Sequence, residues 1–231
     1  MINLASMSGF VVVPTSPTPG TSREAYEADG PVARRIAQVV PFYPFKQIPR
    51  FYDIGGFLKD PEAFALVVEV LVRRYADTDV TAIGGIDARG FVLGPVIALA
   101  LKKPFFMLRK KGKMPNSITG KQYAKEYAGD DALSIPRGAV GPSDKVVLID
   151  DLVATGGTLV AAIDLVKALG ATVLECACVV DIKFLDAKAK FAAHNHADVP
   201  IWALMSEDIL QLDGLADPAV KANYVDDGEA H

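Results

Sequence analysis

Residues 145–170 read KVVLIDDLVATGGTLVAAIDLVKALG, and the reading of this stretch decides the fold. Val146 to Ile149 form an apolar, mostly β-branched run without polar alternation, the pattern of a strand buried on both faces of a parallel sheet. Asp150 and Asp151 end it. From Thr158 the spacing becomes helical, with Leu159, Ala162, Ile163, Val166 and Leu169 along one face and Gly170 at the expected stop. Between strand and helix lies Ala154-Thr155-Gly156-Gly157-Thr158. Its two glycines let the backbone turn tightly and direct amide hydrogens to one point beside a helix N-terminus, a point that favours phosphate.

Gly and Thr also serve for bending and capping in an ordinary strand-to-helix turn. The acidic pair separates the two readings. Carboxylates repel a phosphate placed directly over them, so a ligand suited to both parts carries hydroxyls for Asp150 and Asp151 and phosphate for the loop. A phosphorylated ribose has both. The spacing matches neither the G-x-G-x-x-G dinucleotide fingerprint nor a P-loop, which needs Lys and Ser/Thr after its last glycine.

A chain of 231 residues that is 51% apolar can bury a full α/β core. Its formal charge of -4 argues against a general nucleic-acid binder, whose phosphate contacts need a basic surface. No stretch reaches the ~20 apolar residues of a membrane span, and Phe10 to Val13 lacks the preceding basic region of a secretory signal. Cys176 and Cys178, two apart on one strand, point the same way and read as reduced core thiols of a cytoplasmic protein.

Residues 1–30 are rich in Pro, Ser, Thr and Gly and are expected to be a loose arm. Pro31 opens a short helix to Ala37, and residues 40–54 are too dense in proline for helix, so an aromatic loop or lid is expected. Asp60-Pro61 starts a helix running to Tyr75. Val80 to Ile86 is a second buried strand, ending in Asp87-Ala88-Arg89-Gly90 before another helix; Asp87 is a candidate cap and Arg89 its candidate ion-pair partner. Pro104 to Leu108 is a third strand. Arg109-Lys110-Lys111-Gly112-Lys113 follows it, a basic run that is either solvated surface or part of a site. Residues 114–131 read as a long loop, of a length that suits a lid. Val173–Val180 and Ile201–Met205 complete the sheet. His194 and His196 lack a third neighbouring ligand for metal, and residues 207–231 read as an acidic surface extension.

At these residues the chain resembles a known family. VVLIDDLVATGGT looks like the 5-phosphoribosyl-1-pyrophosphate (PRPP) signature of the type I phosphoribosyltransferases, and IPRFYDI followed by LKDP resembles the base-pocket segment of the adenine phosphoribosyltransferases. The resemblance covers roughly residues 40–205. It implies a mostly parallel twisted α/β sheet flanked by helices, with a small N-terminal hood and a mobile lid loop. The implied segments are an arm (1–30), a hood (31–58), a core (59–206) and an extension (207–231).

The implied reaction is adenine plus PRPP giving AMP and pyrophosphate, with Mg2+ held through PRPP oxygens in a homodimer. Asp150 and Asp151 then bind the ribose hydroxyls, and Ala154, Thr155, Gly156, Gly157 and Thr158 the 5-phosphate. The turn Asp87-Ala88-Arg89, with Arg109 and Lys113, holds pyrophosphate. Ile48 and Phe51 sandwich the purine while the Arg50 backbone reads its edge. Tyr52 departs from the Arg or Ala found there in the family. Tyr123-Ala124-Lys125-Glu126-Tyr127 resembles the mobile catalytic loop, with Glu126 as general acid/base beside Arg89 and with Tyr127 in the lid. A phosphoribosyltransferase for another base and a non-catalytic PRPP or nucleotide sensor are the alternatives.

Overall fold

The computed structural model describes residues 23–45, 48–120, 123–124 and 130–226. In chain order the elements are α1 (Pro31–Ala37), β1 (Pro41–Phe45), β2 (Ile48–Tyr52), α2 (Gly55–Leu58), α3 (Pro61–Ala76), β3 (Ala82–Ile86), α4 (Gly90–Leu101), β4 (Phe105–Lys110), β5 (Ser117–Thr119), β6 (Tyr123–Ala124), β7 (Asp130–Asp131) and β8 (Leu133–Pro136). They continue with β9 (Lys145–Ile149), β10 (Leu152–Val153), α5 (Gly157–Ala168), β11 (Thr172–Asp181), α6 (Ala187–Ala193), β12 (Ile201–Ser206), β13 (Leu212–Asp213) and α7 (Pro218–Ala222).

The main sheet runs β10-β11-β9-β3-β4-β8-β5, with β12 also on β11. Its central pairs are parallel, and β8 adds antiparallel partners in β4 and β5. Val146 to Ile149 and Ala82 to Ile86 are buried throughout, as runs without alternation require in a sheet covered on both faces. α3 starts as its sequence predicts. Pro61 takes the first helical position, and the Asp60 carboxylate accepts from the amides of Glu62 at 3.0 Å and Ala63 at 3.1 Å. Parallel register Gly85↔Ile149 brings the turns after β3 and β9 to one sheet edge. Ligands of open α/β sheets bind at that carboxyl edge.

Four expectations change. Residues 23–30 are not loose: they form a short 3-10 turn at Arg23–Tyr26, the Tyr26 hydroxyl donates to Glu69 at 2.9 Å, and Asp29 accepts from the Ser206 amide and hydroxyl, both at 2.7 Å. The segment expected as an aromatic loop is the antiparallel hairpin β1–β2, whose prolines fall where a ladder tolerates them: Pro41 opens β1, Pro44 stands at a register slip, and Pro49 lies on the edge strand β2. The loop expected at 114–131 contains β5, β6 and β7, and β5 joins the main sheet through β8. The extension after residue 206 packs on the hood: Leu210 is fully buried, and β13 pairs in parallel with β1 to complete a three-stranded sheet. Cys176 and Cys178 are free and buried, as expected.

Candidate active site

Asp150 and Asp151 stand where β9 ends, and neighbouring β11 fixes their backbone. The Asp150 amide donates to the Ala177 carbonyl at 3.1 Å, and the Val179 and Val180 amides converge on the Asp151 carbonyl at 2.9 and 3.0 Å. β10 then resumes pairing along β11, so the chain does not leave the sheet at the acidic pair. Asp151 is only 2% exposed. Arg89 Nε lies 2.9 Å from Asp151 Oδ2, an ion-pair distance, yet that buried oxygen receives no aligned hydrogen bond among the described residues. A buried acceptor without a donor is costly unless a ligand supplies one.

Burial raises both carboxyls. On Asp150 the negative charge of Asp151 adds to the effect of burial; on Asp151 the Arg89 guanidinium works against it.

Gly156 marks the turn before α5. Its φ of 83° and ψ of 4° lie in the left-handed region, and a Cβ there would come within 3.1 Å of the Ala187 side chain and 3.3 Å of Phe191. A larger residue therefore meets both backbone strain and crowding. α5 begins at Gly157 with no side-chain cap, and the amides of Thr155 to Thr158 donate to no acceptor among the described residues. Uncapped donors at the positive end of a 12-residue helix make an anion site.

The second turn faces the first. Its Asp87–Ala88 peptide is cis. Asp87 does not cap α4, whose N-cap is Arg89 without a side-chain bond, and Arg89 does not pair with Asp87. Asp87 instead accepts from Arg109 Nε and the Lys110 amide, both at 3.4 Å, while Arg109 donates to the Lys113 carbonyl at 3.0 Å. The basic run is thereby folded against the Asp87 turn. The exchange of partners follows from the sheet, since β9 lies beside β3 and offers Asp151 to Arg89. Gly90, which sequence reasoning missed as a site residue, allows this closeness: a Cβ there would lie 2.4 Å from the Ile149 carbonyl.

The hood supplies the aromatic wall. Between Tyr43↔Phe51 and Phe45↔Ile48 the register slips, with one more residue on β2 than on β1. This bulge returns Ile48 and Phe51 to one face, although in a regular strand residues three apart would point oppositely. Phe51 contacts Phe45, centroids 5.0 Å apart, and Arg89 covers it at 5.1 Å. Arg89 thus touches both the acidic pair and the aromatic wall. Arg50 is exposed and stacks over Phe42 at 4.8 Å. Tyr52 points into the core, 1% exposed, and burial followed by the charge of Glu207 raises its pKa. A cavity of about 440 Å³ beside it is lined by Arg50, Phe184, Glu207, Asp208 and Gln211. Glu126 and Tyr127 lie outside the described residues.

Comparison with known proteins fits this geometry. The phosphoribosyl transferase domain family matches residues 56–199. Adenine phosphoribosyltransferase 1 of Triticum aestivum is 40% identical over 183 residues, 78% of this chain and 97% of the relative. Adenine phosphoribosyltransferase 5 of Arabidopsis thaliana is 47% identical over 145 residues, 63% of this chain and 75% of the relative. The crystal structure of adenine phosphoribosyl transferase from Trypanosoma brucei, in complex with AMP, pyrophosphate and ribose-5-phosphate, superposes with a TM-score of 0.75 at 35% identity, covering 82% of this chain and 85% of that one. The chain belongs to the phosphoribosyltransferase family, among the adenine phosphoribosyltransferases.

Proposed function

We propose that this protein transfers the 5-phosphoribosyl group of PRPP to N9 of adenine, releasing AMP and pyrophosphate, at the edge where the turns after β3 and β9 meet. One observation carries the reading: the buried Asp151 carboxylate, met by Arg89 without an aligned hydrogen bond, stands a few residues before the uncapped N-terminus of α5. Together they suit the hydroxyls and the 5-phosphate of one sugar.

In this reading the bond between C1 and the diphosphate oxygen breaks as the N9 bond forms, and the sugar passes through an oxocarbenium-like state. Asp150 and Asp151 accept from the ribose hydroxyls and place negative charge near that developing cation. Thr155 to Thr158 donate amides to the 5-phosphate. Arg89 leaves Asp151 for the diphosphate as PRPP binds, joined by Arg109 and Lys113. Phe51 and Ile48 hold the purine, with the Arg50 backbone at its edge. Glu126 exchanges the ring proton.

Mg2+ is proposed to enter carried by PRPP oxygens, as the family resemblance implies, since this hard cation takes oxygen ligands. When bound it offsets diphosphate charge. Val92, Val96 and Leu99 line one exposed face of α4, with Leu99 68% exposed, and support a homodimer; a monomer in sedimentation velocity would remove that assignment. Cytoplasmic location is proposed from the free, buried thiols, and secretion of the protein by its own cells would contradict it.

The test is turnover of PRPP with adenine, hypoxanthine and guanine. Backbone groups arranged for a 6-amino purine leave a 6-oxo purine with unmatched or repulsive contacts, worth up to ~10⁴-fold. Adenine should exceed the others in kcat/KM by orders of magnitude. Comparable use of hypoxanthine would assign another base, and no turnover with any base would assign a sensor.

A further inference from the structure

The hairpin that carries Phe51 is held from the far end of the chain. β13 pairs with β1 through Pro41↔Leu212 and Phe42↔Asp213, and the Gly214 amide donates to the Phe42 carbonyl at 3.0 Å. Beyond α7, whose N-terminus is capped by Asp217, the Tyr224 ring stacks on Tyr43 with centroids 5.7 Å apart and planes 7° from parallel. The Tyr224 hydroxyl donates to the Pro44 carbonyl. Tyr43 lies directly opposite Phe51 in the β1–β2 ladder, so the two side chains share the face that also bears Phe45 and Ile48. Tyr224 therefore grips the strand whose neighbour forms the aromatic wall.

We propose that Tyr224 is a positioning residue for the base pocket, acting through Tyr43 and Pro44 to fix the face that bears Ile48 and Phe51. The inference rests on the reading of that face as the purine wall. A two-stranded hairpin is marginal alone, and β1–β2 has a bulge and three prolines, which leave its ladder weak. Parallel addition of β13 supplies backbone bonds. The Tyr224 stack and hydroxyl fix the rest of β1, up to the residue before Phe45, the ring that touches Phe51. The assigned PRPP groups stand on the main sheet, and Arg89 over Phe51 is a point where they meet the wall.

The experiment is steady-state kinetics on full-length protein carrying Tyr224→Ala or Tyr224→Phe, with thermal unfolding recorded for each. Tyr224→Ala should raise KM for adenine roughly 5-fold, the scale of one aromatic pair, with KM for PRPP and kcat within about 2-fold of the parent. Tyr224→Phe keeps the stack and should recover most of the adenine KM. An unchanged adenine KM in Tyr224→Ala would overturn the proposal. So would a uniform loss across both substrates and kcat together with a lowered unfolding temperature, which would mark Tyr224 as merely structural. A parent that turns over PRPP but ignores adenine would instead overturn the base assignment, and the two failures are thereby distinguishable.

Discussion

The turn after β9 and the β1–β2 hairpin, both assigned above to the proposed ligand site, are held in opposite ways. Asp150 and Asp151 sit between buried strands, and their main chain is fixed by three hydrogen bonds from or to β11. The hairpin lies outside the main sheet, carries a bulge, and takes its support from aromatic contacts and from residues 212–224. Groups that must meet developing charge gain from a site that does not reorganise. A wall that admits and releases a flat base gains from looser attachment. The contrast suggests a division of labour, with sugar and phosphate chemistry on the core and base choice on the hood.

The largest expected effect breaks the core side. Asp150→Asn keeps shape and removes charge, and kcat/KM should fall roughly 10²–10³-fold, the scale of losing one electrostatic stabiliser. Stability should move the other way. Burial and Asp151 raise the Asp150 carboxyl above its ordinary range. Ionising it in the folded state costs stability that is fully present below the ordinary carboxylate pKa and is lost as pH rises through the raised one. The variant escapes that loss, so it should melt at higher temperature than the parent at neutral pH, with the gap closing as pH falls. A variant of native kcat/KM, or one that melts lower at neutral pH, would contradict this account of the pair.

Glu126 belongs to neither region, and its assignment rests on the resemblance of Tyr123 to Tyr127 to a catalytic loop. Glu126→Gln retains size and hydrogen-bonding reach but not proton transfer. A fall in kcat of about 10²-fold with PRPP affinity little changed is expected. Native kcat would leave Glu126 a solvated carboxylate.

The smallest kinetic effect is expected far from both regions. Arg74 makes two 2.7 Å bonds to Glu175, which also accepts from the Tyr75 hydroxyl at 2.6 Å, and its guanidinium lies 4.3 Å over Trp202. Arg74→Ala leaves a largely buried carboxylate without its cation and should cost about 1–2 kcal/mol in denaturant unfolding, discounted for partial exposure. Its kcat/KM should stay within about 2-fold of the parent. A larger kinetic loss would mean that the site feels the back of the sheet.

The same contrast explains what the sequence made legible. The β9–α5 unit is local: an unbroken apolar run, two carboxylates, two glycines and a helical period occupy consecutive residues, so strand, loop and helix follow without long-range information. Asp60-Pro61 announced α3 for the same reason. Partners across the fold left no such trace. Arg89 seemed matched to Asp87, two residues away, because only the lateral order of β3 and β9 brings Asp151 to it. Pro41, Pro44 and Pro49 exclude a helix without choosing between loop and strand, since a hairpin that takes proline at a strand start, a register slip and an edge looks the same in sequence. The pairing of β13 with β1 joins chain segments near opposite ends, and the acidic composition after residue 206 concealed the buried Leu210 and the Tyr224 stack.

The division of labour is tested most directly by one crossed measurement: KM for PRPP and for adenine on Gly156→Val and Phe51→Ala, determined side by side. Gly156→Val strains a left-handed residue and crowds Ala187 and Phe191, so it should raise KM for PRPP roughly 10-fold or more and leave adenine within about 2-fold. Phe51→Ala should do the reverse, raising KM for adenine by a similar factor with PRPP nearly unchanged. Equal shifts of both constants in both variants would contradict the account, because they would show one coupled site in which core and hood are not separable.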